Sequence, residues 1–436
     1  MNDEFRQRRE RLMERVGHGV AIFRSAPVAV MHNDVEYPYR QDSDFLYLTG
    51  LNEPEAVAVL TPYHDKHRFI LFIRPKNPDQ EVWTGMRLSR EEARDTFGAD
   101  EVYLIADLDE TLPQYLENAD TIYYRFGRDN SFNGRVIKFW QQLMTSYPRR
   151  GRGPIAIRDT GVILHPLRMV KSEAEINLMC KAAAISVEAH KRACKKVKPG
   201  RYEYEVQAEI EYVFRQQGAD GPAYPTIAAS GSRGCILHYT DNSQRLQKNE
   251  LLLIDAGCSY HSYNADITRT IPVSGKFTIE QKILYELVLE AQRQAISRIR
   301  PANSYTEISE IAVKVITEGL AELGLLTGEF EELIKGEQYK PFFMHRIGHW
   351  IGMDVHDVGI YQNGDSPQMF LPGNVLTVEP GIYIGPNIQP VEGQPEVDQR
   401  WRGIGIRIED VVLVTPDGNE VLTAGLPKAV REIERR

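Results

Sequence analysis

The sequence predicts an α+β protein of two domains: a smaller α/β N-terminal domain over residues 1–165 and a larger α+β domain over 166–436. Three observations point there. The 436-residue length exceeds the ~250–300 residues at which a single hydrophobic core stops growing. In the first third, short apolar runs of strand length alternate with polar, helix-like segments. Beyond residue 170, longer helices come in pairs around strand-like runs.

The elements follow in order. Residues 3–15 form a short charged helix. GVAIF (19–23), HRFILFI (67–73) and TIYYRF (121–126) are β-branched or aromatic runs and read as strands, with the helical SREEARDTF (89–97) between them. GRGPIAIRDTGVILHPLRMV (151–170) is rich in glycine and proline with little helical periodicity, which places the domain boundary near residue 165. Ser172 and Glu175 form an S-x-x-E capping box and open a helix that runs to Pro199-Gly200, with Lys195, Lys196 and Lys198 on its C-terminal dipole. Further helices are expected near 203–217, 278–300 and 305–323. LLLIDAGC (251–258), ADITRTIPV (265–273), VLTVEPGIYI (375–384) and GIRIEDVVLVT (405–415) read as strands.

Composition narrows the function. With 42% hydrophobic and 26% charged residues, the chain has ample apolar material to fold. A net charge of −9 disfavours a protein that lives on nucleic-acid phosphates or anionic lipid. The charged N-terminus has no signal-like apolar run, and no segment reaches the ~20 apolar residues of a membrane span. The cysteines Cys180, Cys194, Cys235 and Cys258 form no CxxC, so a reducing cytoplasm is expected.

Four carboxylates interrupt apolar runs. Asp255 follows four aliphatic residues, Asp266 occupies a strand-like position, Glu379 ends an apolar run, and Glu409 stands between Ile408 and a run of valines. One such acid is ordinarily a salt-bridge partner or a cap. Four need cations, and these segments offer only Arg269 and Arg407. A metal site explains the set better. HRIGHWIGMDVHDVG adds His345, His349 and His356 in a glycine-rich tract, where the glycines are read as keeping the backbone loose. HxxxH alone is weak, and no HExxH motif strengthens it. If Asp255, Asp266, His349, Glu379 and Glu409 converge, their formal −4 suits two divalent cations. Oxygen-dominated ligation with one imidazole suits Mn²⁺ better than thiolate-loving Zn²⁺. Two such ions roughly 3.5–4 Å apart can activate a water and polarise a carbonyl, which is hydrolytic chemistry without a Ser or Cys nucleophile.

The order Asp, Asp, His, Glu, Glu, in LLLIDAGC, NADITRTIPVSGKF, HRIGHWIGMDVHDVG, LTVEPGIYI and GIGIRIEDVVLVT, resembles the aminopeptidase P (Xaa-Pro aminopeptidase) family of pita-bread metallopeptidases. That likeness spans most of 166–430. EYPYRQDSDFLYLTGLNEPEA (36–56) also resembles the N-terminal domain of the same family. The resemblance implies a pseudo-twofold pita-bread domain, with the two aspartates on one half and the histidine and glutamates largely on the other. Asp255 would be a bidentate ligand of one metal, Asp266 and Glu409 bridges, and His349 and Glu379 ligands of the second metal. His238, in CILHYTDN, would line the substrate pocket, and His345 and His356 would stand near the substrate and the tetrahedral intermediate.

The implied reaction is hydrolysis of the bond before a proline in the second position of a peptide, by a hydroxide shared between two metals. Glu379 would carry the proton to the leaving nitrogen, and His356 with a metal would stabilise the oxyanion. Arg407 reads equally as a support for Asp255 or Asp266 or as an ordinary sheet-surface arginine. Tyr383 is a second candidate support. Trp83 reads as a buried core residue, with an active-site mouth across a subunit contact as the other reading. The family is commonly dimeric or tetrameric, so a homo-oligomer is expected. Prolidase, which cleaves Xaa-Pro dipeptides with the same ligands, is the nearest rival. Creatinase-like chemistry needs no metal and fits the ligand set poorly. A non-catalytic pita-bread binding protein would have lost the ligands.

Overall fold

The computed structural model describes residues 2–435 and divides into two compact units, Met1–Arg168 and Met169–Arg436. The first unit is built on a six-stranded mixed sheet. Its strands run, across the sheet, Glu101–Leu104, Phe69–Ile73, Val57–Leu60, Val20–Arg24, Thr121–Tyr123 and Ala156–Arg158. Apart from Arg24 at the end of Val20–Arg24, the three central runs (Phe69–Ile73, Val57–Leu60 and Val20–Arg24) are apolar because both faces are covered. Leu112 and Leu116 of one helix and Val136 and Phe139 of another pack on Val20, Ile22, Val57, Val59, Ile70 and Phe72.

Two sequence expectations change in this unit. Trp83 is not in the core: it is 86% exposed, on a Pro78–Thr84 helix that buries no side chain. That helix is held at its start by Asn77, which accepts from the amides of Asp79 and Gln80. The 151–170 stretch is not irregular throughout, since Gly161–Met169 is helical around Pro166. A proline and a short apolar stretch hide that helix from a periodicity reading.

The second unit repeats one order of elements. Helices Glu173–Lys196 and Glu203–Gln216 precede an antiparallel sheet of Ile227–Ser230, Leu251–Asp255 and Thr268–Pro272. Helices Ile279–Ser297 and Tyr305–Glu322 precede a second antiparallel sheet of Val375–Val378, Asp410–Thr415 and Gly418–Val421. The predicted capping box is present: Ser172 Oγ accepts from Glu175 N, and Glu175 Oε2 accepts from Ser172 N. Thr278 with Gln281 and Ser304 with Glu307 open the second helix pair the same way.

The halves meet through main-chain and hydroxyl bonds. Glu409 N donates to Thr268 O at 3.0 Å, and Arg407 N donates to Thr270 Oγ1 at 3.1 Å. This seam brings the end of the first sheet beside a break in the second. The candidate site lies on it.

Candidate metal centre

The backbone delivers each acid at a place where a strand stops. Asp255 is the last residue of Leu251–Asp255, opposite Ile227 on one side and Thr268 on the other. Asp266 precedes Thr268–Pro272 rather than lying within a strand, which corrects its strand-like reading. VLTVEPGIYI is two strands in different sheets, broken at Glu379-Pro380. GIRIEDVVLVT is likewise broken between Arg407 and Asp410, and Glu409 stands in the gap. An acid that ends a strand can leave the sheet face and reach a shared pocket.

His349 is fixed by the neighbouring strand. Its amide donates to Thr377 Oγ1 at 3.0 Å, and its carbonyl accepts from Thr377 N at 2.9 Å. The glycine before it serves this contact, not looseness: a Cβ on Gly348 would lie 2.0 Å from Thr377 O. Gly352 is similar, since a Cβ there would lie 2.3 Å from Asp357 Oδ2. The reading of these glycines as loosening the tract is therefore replaced by close packing.

The five predicted side chains converge. Ligand atoms of Asp266, His349 and Glu409 lie within 4.8 Å of one another. His349 Nε2 is 3.5 Å from both Asp266 Oδ2 and Glu379 Oε1. The Tyr224 hydroxyl stands between Asp255 Oδ1 at 2.7 Å and Asp266 Oδ1 at 2.5 Å. Thr268 Oγ1 donates to Glu409 Oε2 at 2.8 Å. His349 Nδ1 donates to Trp350 O at 3.0 Å, which turns Nε2 toward the acids.

Electrostatics set the charge state of this pocket. Burial raises Asp255 against the pull of Arg407, and burial with the neighbouring acids holds Glu409 well above the usual carboxylate range. Burial lifts Glu379 to about 7 although His349 and Arg407 oppose it. Burial pulls His349 down, but its bond to Asp266 and the charges of Asp266 and Glu379 outweigh it, raising the imidazole to about 9. Asp266 is lowered, because His349 outweighs its burial. Protons thus stand where cationic partners are short. Three buried carboxylates with the half-buried Glu379 and His349, short of counter-charge, fit divalent cations with a preference for oxygen donors.

Arg407 is no surface residue. It is 4% exposed, and Nη2 donates to Asp255 Oδ2 at 2.6 Å. Nε donates to Thr268 Oγ1 and Nη1 to the Tyr383 hydroxyl, both at 3.1 Å. Tyr383 in turn donates to His345 Nε2 at 2.8 Å, and His345 Nδ1 donates to Arg346 O at 2.8 Å. Burial, with Arg407 next, lowers His345 to about 4, so this ring is neutral. The His356 ring packs edge-on to His349, 4.4 Å between centroids, and is lowered by burial and by His349. His238 is exposed on its loop and lies near enough to depress both His345 and His356. Arg269, the other arginine in the acidic segments, instead holds Asp410 at 2.7 Å and the Glu409 carbonyl at 2.6 Å.

Three polar side chains of the pocket are not singled out by sequence: Tyr224, Thr268 and Thr377. Thr268 stands two residues after Asp266, and residues two apart share a face in extended chain, so that spacing was a usable signal. Tyr224, between prolines in GPAYPTIAA, carries none.

The profile of Metallopeptidase family M24 matches residues 177–416, and that of the Aminopeptidase P N-terminal domain matches residues 5–123. Xaa-Pro aminopeptidase of Escherichia coli K12 is 41% identical over 99% of this chain and 96% of its own length. The Haemophilus influenzae Xaa-Pro aminopeptidase is 39% identical over the same shares.

The chain belongs to metallopeptidase family M24, in its aminopeptidase P group.

Solved aminopeptidase P structures share the whole fold of this M24 member. The Pseudomonas aeruginosa aminopeptidase PepP superposes with a TM-score of 0.95 at 44% identity, covering 100% of this chain and 97% of that one. A variant of E. coli aminopeptidase P in complex with substrate gives 0.94 at 41% identity, with the same coverage. All five converging side chains of this M24 member come from the segment that the family profile matches.

Proposed function

We propose that this chain is a metal-dependent exopeptidase that releases the N-terminal residue from peptides with proline in the second position. The observation that carries the reading is the cluster of Asp255, Asp266, His349, Glu379 and Glu409, in a chain whose relatives are Xaa-Pro aminopeptidases. These five side chains would hold two divalent ions, with Mn²⁺ best suited to the donors. When bound, the ions supply an activated water and polarise the peptide carbonyl.

The residues around them have separate tasks. Glu379, with its pKa raised to about 7, can take up and release a proton at neutral pH, which suits transfer to the leaving proline nitrogen. Neutral His356 can donate to the developing oxyanion. Arg407 holds Asp255 in place and, through Tyr383, orients His345. His238 faces the peptide from its loop.

Among the described residues no helix is long and apolar enough to cross a membrane. Cys180, Cys194, Cys235 and Cys258 form no disulfide among the described residues, which supports a reducing compartment such as the cytoplasm. Exposed Val82, Trp83 and Met86, at 84%, 86% and 84%, support a homo-oligomer (dimer or tetramer), which light scattering would test.

One assay tests the reaction. The protein is stripped with chelator, reloaded with single metals, and given an Xaa-Pro dipeptide and an Xaa-Pro-Xaa tripeptide. Metal-restored cleavage of the tripeptide at the Xaa-Pro bond is expected. Cleavage of the dipeptide alone would make the chain a prolidase, and no cleavage with bound metal would make it a binding protein.

A further inference from the structure

Glu203 begins the Glu203–Gln216 helix and is completely buried. Its Oε1 accepts from Ser230 N at 2.8 Å, Ser230 Oγ at 2.6 Å and Arg233 Nε at 3.4 Å. Its Oε2 accepts from the Tyr239 hydroxyl and from Gln244 N, each at 2.8 Å. Its own amide donates to Gln244 O at 2.9 Å. The carboxylate is saturated, and every partner lies in residues 230–244. The helix is capped at Tyr202, whose amide donates to Glu205, and no amide of its own helix is among these partners of the Glu203 carboxylate, so the buried charge is explained by the segment it gathers.

That segment carries His238. The next residue, Tyr239, is locked twice: its ring packs with Ile227, Ala229 and Leu253, and its hydroxyl is held by Glu203. With Tyr239 turned inward, His238 and Thr240 on either side are turned outward and exposed. The Leu253 contact ties the same ring to the strand that ends in Asp255.

We propose that Glu203 is a positioning residue, which acts through the Tyr239 hydroxyl to set where His238 stands against the bound peptide. The proposal rests on the Xaa-Pro reaction described above. It assigns to a residue outside the pocket, and on a different element, control over one group that faces the substrate.

The test is Tyr239→Phe, which removes one oxygen and keeps the buried ring, made in the native protein and in a His238→Ala background. With Mn²⁺-loaded protein and an Xaa-Pro-Xaa tripeptide, kcat/KM is expected to fall about tenfold in the native background and to change little in the His238→Ala background. Equal losses in both backgrounds would make the bond simple scaffolding and overturn the proposal. Amide exchange gives a readout free of turnover: Tyr239→Phe should speed exchange over 236–241 while strand Leu251–Asp255 stays protected. Unchanged exchange over 236–241 would also overturn it. If the native protein leaves the tripeptide intact, the reaction assignment fails, and the exchange result alone decides the role of Glu203.

Discussion

Arg407 Nη2 and Asp255 Oδ2 lie 2.6 Å apart, both side chains buried, and the same guanidinium also holds Thr268 and Tyr383. One planar group therefore aligns a carboxylate, a hydroxyl bonded to Glu409, and a phenol bonded to His345. Lysine keeps the charge but reaches only one of the three. Arg407→Lys is expected to lower metal affinity or kcat/KM by about 10–100-fold, measured by Mn²⁺ titration and peptide hydrolysis. Native values for both would remove Arg407 from the site.

The carboxylates themselves give a sharper test. Asp255→Ala and Glu409→Ala should each lose bound metal on gel filtration and lower peptidase activity by at least about a hundredfold. The thermal melt of metal-free Glu409→Ala should match that of the metal-free native protein to within a few degrees, whereas metal-free Asp255→Ala, which leaves the buried Arg407 guanidinium without its carboxylate, should melt lower. Full activity in either variant would refute the assignment of these donors.

Metal binding should depend on pH with a defined sign. Without metal, His349 titrates at about 9 and Glu379 at about 7, and both must be deprotonated to ligate. Affinity is therefore expected to rise with pH up to about 9, and more steeply below about 7. Calorimetry in buffers of different ionisation enthalpy should find at least about one proton released near pH 8 and about one more near pH 6, with Glu409, which burial and its acidic neighbours also hold protonated, adding to both. Affinity that is flat between pH 6 and 9 would contradict these charge states.

The candidate site is readable in the sequence where chemistry conflicts with its surroundings. Asp255, Asp266, Glu379 and Glu409 stand out because charge is out of place in apolar runs. The first long helix is visible because Ser172 advertises its start, and the structure shows the same signal at Thr278 and Ser304. Tyr224 and Glu203 stay hidden, since a tyrosine between prolines or a glutamate at a helix start is ordinary until its distant partners arrive. The break at Glu379-Pro380 is hidden too, because the apolar pattern runs straight through it while the hydrogen bonding does not. Trp83 misleads in the opposite way: its hydrophobicity suggests a core, but its short helix packs no side chain.

A buried pair in the first unit supports a stability prediction. Arg168 Nη1 donates to Asp44 Oδ1 at 2.6 Å, beside His165 and Arg125. Burial pushes Asp44 up, but His165 and Arg168 outweigh it and hold the carboxyl well below the usual range. Its stabilising contribution is thus present above the unfolded-state pKa of ~3.9 and is lost as pH falls through the lower folded value. Arg168→Met should destabilise the protein by about 3–5 kcal/mol at pH 7. In urea melts the gap to the native protein should shrink below about pH 4. A gap that is constant with pH would show that packing, not charge, accounts for the loss.

The division of donors between the two halves of the second unit has a consequence for biosynthesis. Asp255 and Asp266 are made well before His349, and Glu409 follows His349 by a further 60 residues. A chain made only as far as Thr268 contains Tyr224 and the two aspartates but none of the donors from the second half. The full donor set proposed here therefore exists only once Glu409 has been made, and a chain truncated between His349 and Glu409 would lack at least one donor from the second half.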